Sequence, residues 1–309
     1  MIAITGASGY LGRALLPVLA QHYGHRGGVV ALARQATAHS PTRHFDLTDA
    51  AGFPKCLAGV TTLVHCAGLA HAHGSEQAYT SVNVQGTLAL AQAALKQGVS
   101  RFIFVSSMNI IPSDALSPDS SAGAYSQPSS DYGASKWLAE QRLEATLANS
   151  DCHLVIVRPA LIYDTELKGN IALLSWLGRL LPFRLPDTGA RPMLCRADFV
   201  ALITHCIDMP EDRLESVTRR AGFDGQRYSA RRIGDAVLGP RKMALPLAFW
   251  RLMASLYDAI KRQPANTTWA SIEGEFWTGE YPSNNQWQPT WVLEERLVSP
   301  STGANERSV

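Results

Sequence analysis

Apolar residues first fall in short continuous runs. Ile2-Ala3-Ile4-Thr5 opens the chain, and similar runs follow over 28–33, 61–66, 101–106 and 153–158. They are rich in branched residues and too short for helices, which predicts strands buried on both faces of a sheet. Between them, longer segments at about 10–22, 75–97 and 132–149 carry helical patterns. Strand-helix alternation of this kind predicts βαβ units and an α/β fold, with helices on both faces of a doubly wound parallel sheet. After Pro159 the alternation becomes less regular, as expected of a smaller α/β lobe grafted onto the sheet. The expected division is 1–165, with 192–215 returning to it, and a second lobe of 166–191 and 216–309.

Two stretches break the pattern. Residues 112–130 are rich in Pro, Ser, Asp and Gly. A flexible surface loop and a mobile wall of a site are equally good readings of them. Met243 to Tyr257 is apolar but interrupted by Pro246 and Arg251, too short to span a bilayer. A core or domain-packing helix is the favoured reading there, with peripheral membrane contact as the alternative. The tail from Ser299 is polar and expected to fray.

Composition narrows the class without naming an activity. Of 309 residues, 46% are hydrophobic and 17% charged, an ordinary globular balance, and the net charge of +2 argues against nucleic acid as the main partner. The first strand follows Met1 directly, which leaves no room for a signal peptide, so a cytoplasmic protein is expected. Five scattered cysteines without a CxxC pair signal neither disulfides nor zinc, and no metal is expected.

Candidate chemistry begins at Thr5-Gly6-Ala7-Ser8-Gly9-Tyr10-Leu11-Gly12, between the first strand and the first helix. Glycines at 6, 9 and 12 let the backbone turn sharply and approach a pyrophosphate, at which the helix aims its N–H groups and positive end. A glycine triplet alone is weak evidence, but this strand-turn-helix setting predicts a Rossmann-like dinucleotide site. At the end of the second strand, an acid would bond the ribose hydroxyls and repel a 2′-phosphate. Ala33 stands there, with Arg34 beside it. A guanidinium suits that phosphate, so NADP is favoured over NAD, against the plainer reading of Arg34 as an exposed strand end. Asp46-Leu47, after a third strand, is placed at the adenine edge.

Tyr132 and Lys136 lie four apart at the start of a helix, on one face. A phenol titrates near ~10 in water, and a neighbouring ammonium is expected to bring it toward neutrality. The strand Phe102-Ile103-Phe104-Val105 ends in Ser106-Ser107, at the carboxyl edge where doubly wound sheets bind ligands. Either hydroxyl suits a substrate oxygen, and simple strand capping is the more reasonable role for Ser106. Asn83, unfavourable inside a helix, is expected to bond backbone or water in support of the site.

Together, TGASGYLG (5–12), FDL (45–47), HCAG (65–68), NVQGT (83–87), FIFVSS (102–107), YGASK (132–136) and RPALIY (158–163) resemble the extended short-chain dehydrogenase/reductases. That family comprises nucleotide-sugar epimerases, dehydratases and 4-reductases, and the likeness runs from residue 1 to about 208. It implies a catalytic set of Ser107, Tyr132 and Lys136, with Tyr132 25 residues beyond Ser107, as in extended members. It implies cofactor contacts at Gly6, Ser8, Gly9, Tyr10, Leu11, Gly12, Arg34, Asp46, Leu47, Cys66, Ala67, Gly68, Asn83, Tyr132, Lys136, Pro159 and Ile162. Substrate contacts are implied at Ser107, Met108, Asn109, Asn170 and Arg191, the last two in places that hold a substrate diphosphate. The run 168–186 is similar to bacterial 4-reductases and epimerases of O-antigen and capsule pathways.

The implied reaction is NADPH-dependent reduction of the 4-keto group of a deoxysugar carried on UDP. The alternatives are a UDP-sugar 4-epimerase that keeps NAD bound, and an NADP(H)-sensing regulator without turnover. A homodimer through 75–97 and 132–149 is implied by the same resemblance. The sequence departs from the pattern at Asp164, where glycine is usual, and matches loosely over 221–309. His71 and His73 alternate like metal ligands but lack further nearby ones, and contact of one of them with the sugar is the alternative. Trp269, Trp277, Trp287 and Trp291 suggest either a sugar platform or, more plainly, core and interface residues.

Overall fold

A computed structural model describes residues 1–25, 28–70, 75–166, 183–239, 243–261, 265–277 and 287–298. His71, His73, Asn170 and the tail from Ser299 lie outside the described residues. The chain divides into two compact units, Met1–Pro159 with Phe199–Gly222, and Ala160–Asp198 with Phe223–Val309.

In the first unit seven strands form one sheet: β1 (Ile2–Thr5), β2 (Val29–Ala33), β3 (Thr42–His44), β4 (Thr62–His65), β5 (Arg101–Val105), β6 (His153–Pro159) and β7 (Val217–Gly222). Their spatial order is β7-β6-β5-β4-β1-β2-β3, and every pairing is parallel. β1, β2 and β5 are buried at every residue, which explains why they read as unbroken apolar runs. The order reverses between β1 and β4, so the crevice for a ligand lies beyond their carboxyl ends.

Helices α1 (Gly12–Tyr23), α2 (Thr87–Lys96) and α3 (Asp131–Leu147) supply the crossovers. The core sets Leu90, Ala94 and Leu143 against Leu63, Phe102, Phe104 and Ile156 of the sheet. The segment expected as one helix over 75–97 is instead an α-turn at Glu76–Tyr79, a wider π segment at Thr80–Gly86, and then α2. A further helix, α4 (Arg196–Asp208), leads toward β7. The Arg101 guanidinium donates to the carbonyls of Cys206 (3.1 Å), Ile207 and Met209 (2.8 Å), which satisfies acceptors that a helix end leaves open.

Residues 112–130, expected to be flexible or mobile, are tied down. Arg158 of β6 pairs with Glu140 of α3 at 2.6 Å, both side chains fully buried. It also donates to the carbonyls of Pro118 (2.6 Å) and Ser120 (2.8 Å). Trp137 Nε1 donates to Ala122 O, and Tyr125 Oη to Ser117 O. A buried ion pair that also satisfies loop carbonyls leaves this stretch little freedom.

In the second unit, Leu161–Tyr163 pairs with Met193–Cys195, and Phe183–Arg184 with Met243–Ala244. Tyr163, Met193, Tyr228, Ile233 and Leu293 form its core. Tyr228 Oη donates to Asp224 at 2.5 Å and accepts from Leu293 N at 3.0 Å, while burial pushes the Asp224 carboxyl up to about 6. Asp198 accepts from Thr290 N and Trp291 N, holding the C-terminal segment. Asp164, where the family pattern expects glycine, pairs with Arg196 and, at 3.6 Å, with Arg296. Trp269, Trp277 and Trp287 are buried and Trp291 is half-buried. Helix α5 (Leu247–Lys261) differs from the favoured expectation of a packing helix, since most of its apolar side chains are exposed.

Candidate active site

The phosphate turn is built on close backbone contacts. Gly6 has φ +67°, and a Cβ there would lie 2.8 Å from Ala67 N and 2.9 Å from Cys66 C. Glycine therefore lets the turn seat against the chain leaving β4. A Cβ at Gly12 would run into Gly6 O. Ser8 and Gly9 are exposed, and α1 begins without a side-chain cap or an acid in its first turn. A bare glycine turn at the positive end of a helix without a side-chain cap fits a pyrophosphate.

Ala33 is buried and Arg34 exposed at the end of β2. Arg34 lies near enough to Asp46 to help lower that carboxyl, although bonds from Thr48 N (3.0 Å) and Thr48 Oγ1 (2.8 Å) do more. Leu47 packs against Gly86, where a Cβ would come within 2.8 Å of Leu47 Cγ.

Asn83 sits in the π segment, where the wider turn frees its side chain to bridge elements. Its Oδ1 accepts from Leu69 N (2.8 Å), and its Nδ2 donates to Leu69 O (3.0 Å) and Ser135 Oγ (3.0 Å). Ser135 Oγ in turn donates to Tyr132 O at 2.8 Å. The loop after β4 is thus tied to the helix that carries Tyr132 and Lys136. Gly68 belongs to the same contact, because a Cβ there would lie 2.9 Å from Asn83 Oδ1.

Helix α3 is capped by Ser130, whose hydroxyl accepts from Gly133 N at 3.1 Å. A Cβ on Gly133 would meet Ser130 Oγ at 2.8 Å and Pro128 Cβ at 2.9 Å, which explains the glycine inside YGASK. Sequence reasoning missed this cap, as well as Ser135 and the Arg158–Glu140 pair.

Tyr132 and Lys136 lie one turn apart on α3, and Ser107 stands just beyond the end of β5, close to Tyr132. The Ser107 hydroxyl lies near enough to the Tyr132 phenol to lower its titration, and the phenol ring meets the Tyr79 ring edge-on at 6.4 Å between centroids. Lys136 is buried, donates to Val105 O at 2.9 Å and lies 4.7 Å from the centre of the Phe104 ring. One expectation fails: the Tyr132 phenol is pushed up to about 12 rather than brought toward neutrality. Burial dominates, and the nearby Ser107 hydroxyl only partly offsets it. Burial also pulls Lys136 down to about 8, and its two remaining donors suit a ribose. Ser106 N extends the ladder to Val157 O (2.7 Å), and its buried hydroxyl has no partner among the described residues.

Beneath this set, His65 bridges Thr5 Oγ1 (2.7 Å) and Thr87 Oγ1 (2.9 Å). Burial first, and then the charge of Lys136, hold it down at about 3. Its signal in the sequence was a histidine following directly on the apolar pair Leu63-Val64.

Of the remaining expected positions, Tyr10 and Leu11 are half-buried at the start of α1, Cys66 and Ala67 line the turn described above, and Pro159 is buried at the end of β6. Met108 is buried and Asn109 exposed in the single turn after Ser107. In the second unit Ile162 is half-buried. Arg191 there donates to Ile272 O at 3.0 Å and lies over the Phe276 ring, and burial lowers its titration. Among the described residues no cluster of His, Cys, Asp and Glu could hold a metal, and no helix is long and apolar enough to cross a membrane.

Comparison with known proteins shows the family and the fold. Residues 2–172 match the model of the NAD dependent epimerase/dehydratase family. The chain is 30% identical over 262 residues to a UDP-glucose 4-epimerase of Vibrio cholerae, covering 81% of this chain and 79% of the relative. Its fold is similar to that of MoeE5 solved with UDP-glucuronic acid and NAD (TM-score 0.73, 18% identity, 96% of each chain). It is likewise similar to the Thermus thermophilus UDP-glucose 4-epimerase solved with NAD (TM-score 0.71, 19% identity, 96% of each chain).

Proposed function

The chain belongs to the NAD dependent epimerase/dehydratase family, and from that membership we propose that it is a nucleotide-sugar oxidoreductase, a UDP-sugar 4-epimerase. The observation that carries the chemistry is the convergence of Ser107, Tyr132 and Lys136 beside the glycine turn. The sugar is inferred from the Vibrio cholerae relative, and this reading takes precedence over the reduction expected from sequence.

A bound nicotinamide dinucleotide would supply the hydride acceptor and donor. The residues of the glycine turn would hold its pyrophosphate, and Lys136 and Asn83 would fix the ribose end. Tyr132 Oη would take the proton from the sugar 4-hydroxyl and return it after the 4-keto sugar has turned over. Ser107 would hydrogen-bond the same oxygen. At neutral pH the ammonium of Lys136 is still mostly present, which favours the phenolate once the site is filled. In the second unit, Arg191 and Asn170 would hold the diphosphate.

A second reading, an NADPH-dependent 4-reductase, is favoured by Ala33 and Arg34. The test is to offer UDP-glucose and UDP-N-acetylglucosamine to the purified protein with and without added dinucleotide. An epimerase interconverts a UDP-sugar with no net oxidation, whereas a reductase acts only on a 4-keto sugar and consumes NADPH. Tyr132→Phe should lower turnover by about 10²–10⁴-fold while dinucleotide still binds. Full turnover in that variant would remove Tyr132 from the chemistry.

A further inference from the structure

Helix α5 in the second unit has two unlike faces. Ala254 and Asp258 are buried and Trp250 and Tyr257 half-buried, and they turn the inner side toward Thr267–Glu273. There Asp258 accepts from Thr268 N at 3.0 Å. The opposite side carries Phe249, Leu252, Met253, Leu256 and Ile260, at helical steps of three and four. These side chains are 37%, 58%, 45%, 49% and 79% exposed. A stripe of five large apolar residues facing water marks an interaction surface rather than a scatter of surface leucines.

Charge indicates what the stripe meets. In the sequence Lys261-Arg262 close the helix and Arg241-Lys242 stand five residues before its start, while its one acid, Asp258, is the residue turned inward. Arg251 pairs with Glu273 at 3.5 Å and lies over the Trp269 ring, so it is held at the flank of the stripe. An apolar stripe on a helix flanked in the sequence by basic pairs complements an anionic bilayer, whose acyl boundary takes the apolar side chains and whose headgroups attract the cations. A second copy of this chain is a poorer occupant, since both copies bring basic residues on either side of the helix in sequence and neither brings an exposed acid on it. We propose that the outer face of α5 docks the protein on the surface of an anionic phospholipid membrane, lying in its plane without crossing it.

The experiment is co-sedimentation of the full chain with two kinds of vesicle, phosphatidylcholine alone and phosphatidylcholine mixed with phosphatidylglycerol. Wild type should sediment with the mixed vesicles, less so as salt rises. Leu252→Gln combined with Leu256→Gln should weaken that binding at least about tenfold, because two inserted side chains are lost. Both residues face solvent, so the melting curve of the variant should match wild type, and its Tyr132-dependent activity on a soluble UDP-sugar should persist. Failure to sediment, equal binding to the neutral vesicles, or binding that the variant leaves unchanged overturns the proposal. So does light scattering that shows a wild-type dimer reduced to monomer by the same substitutions, which would assign the stripe to a second copy.

Discussion

His65 shows how one buried ring reports on the site. Its nitrogens lie between two threonine hydroxyls, and its titration is held at about 3 because a charged ring there would be desolvated and would face Lys136. A histidine in an unfolded chain titrates near ~6.5. The folded value is depressed, so the neutral ring contributes stability above pH 6.5, and this is lost as pH falls toward 3. One proton of linkage over that window removes about 2 kcal/mol between pH 7 and pH 5. His65→Gln should therefore flatten the stability profile between pH 7 and 5 in urea titrations. A variant whose profile parallels wild type would show that another group carries the acid sensitivity. Tyr132 and Lys136 follow the same physics, with burial raising one and lowering the other, so that the neutral form of each is favoured. The sequence placed these two on one face. It carried no measure of how dry that face is, and this is why the direction of the Tyr132 shift was misread.

At the scale of elements, the legible parts were those where burial shows as composition. β1, β2 and β5 are buried throughout and read as apolar runs, and the YGASK spacing placed the start of α3. β3 and β7 were not visible as runs, because they are edge strands carrying polar residues such as Arg43, Arg219 and Arg220. The π segment was hidden because its residues keep the ordinary pattern of a helix, with Asn83 the one irregularity. Arg158 and Glu140 lie 18 residues apart on different elements, and no periodicity links them. Yet that pair orders residues 112–130. Glu140→Gln leaves the Arg158 charge buried without its partner and should cost about 3–5 kcal/mol. Replacing both residues with methionine should cost less than the two single losses added together. Limited proteolysis should show earlier cleavage within 112–130 in Glu140→Gln. An unchanged cleavage pattern would mean that Trp137 and Tyr125 hold the loop alone.

For the whole molecule, the reaction type turns on whether the cofactor leaves. A 4-epimerase oxidises and reduces the same sugar carbon, so its dinucleotide returns to its starting state and can stay bound. A reductase must release oxidised cofactor at every turnover and select the reduced, phosphorylated form from solution. Selection of that kind needs a group that recognises the 2′-phosphate, and the candidate is Arg34, exposed at the end of β2 where Ala33 replaces an acid. A charge-assisted contact to phosphate contributes roughly 1.5–3 kcal/mol, about ten- to a hundredfold in affinity. If Arg34 makes it, Arg34→Ala should weaken NADP(H) by that factor and leave NAD(H) nearly unchanged. Calorimetric titration with both dinucleotides reads this directly. A wild type that binds NAD at least as tightly as NADP, with Arg34→Ala altering neither, would leave Arg34 as a solvated strand end. That outcome removes the main support for the reductase and favours an epimerase that retains NAD, in which the open carboxyl edge of the sheet serves to hold the cofactor in place.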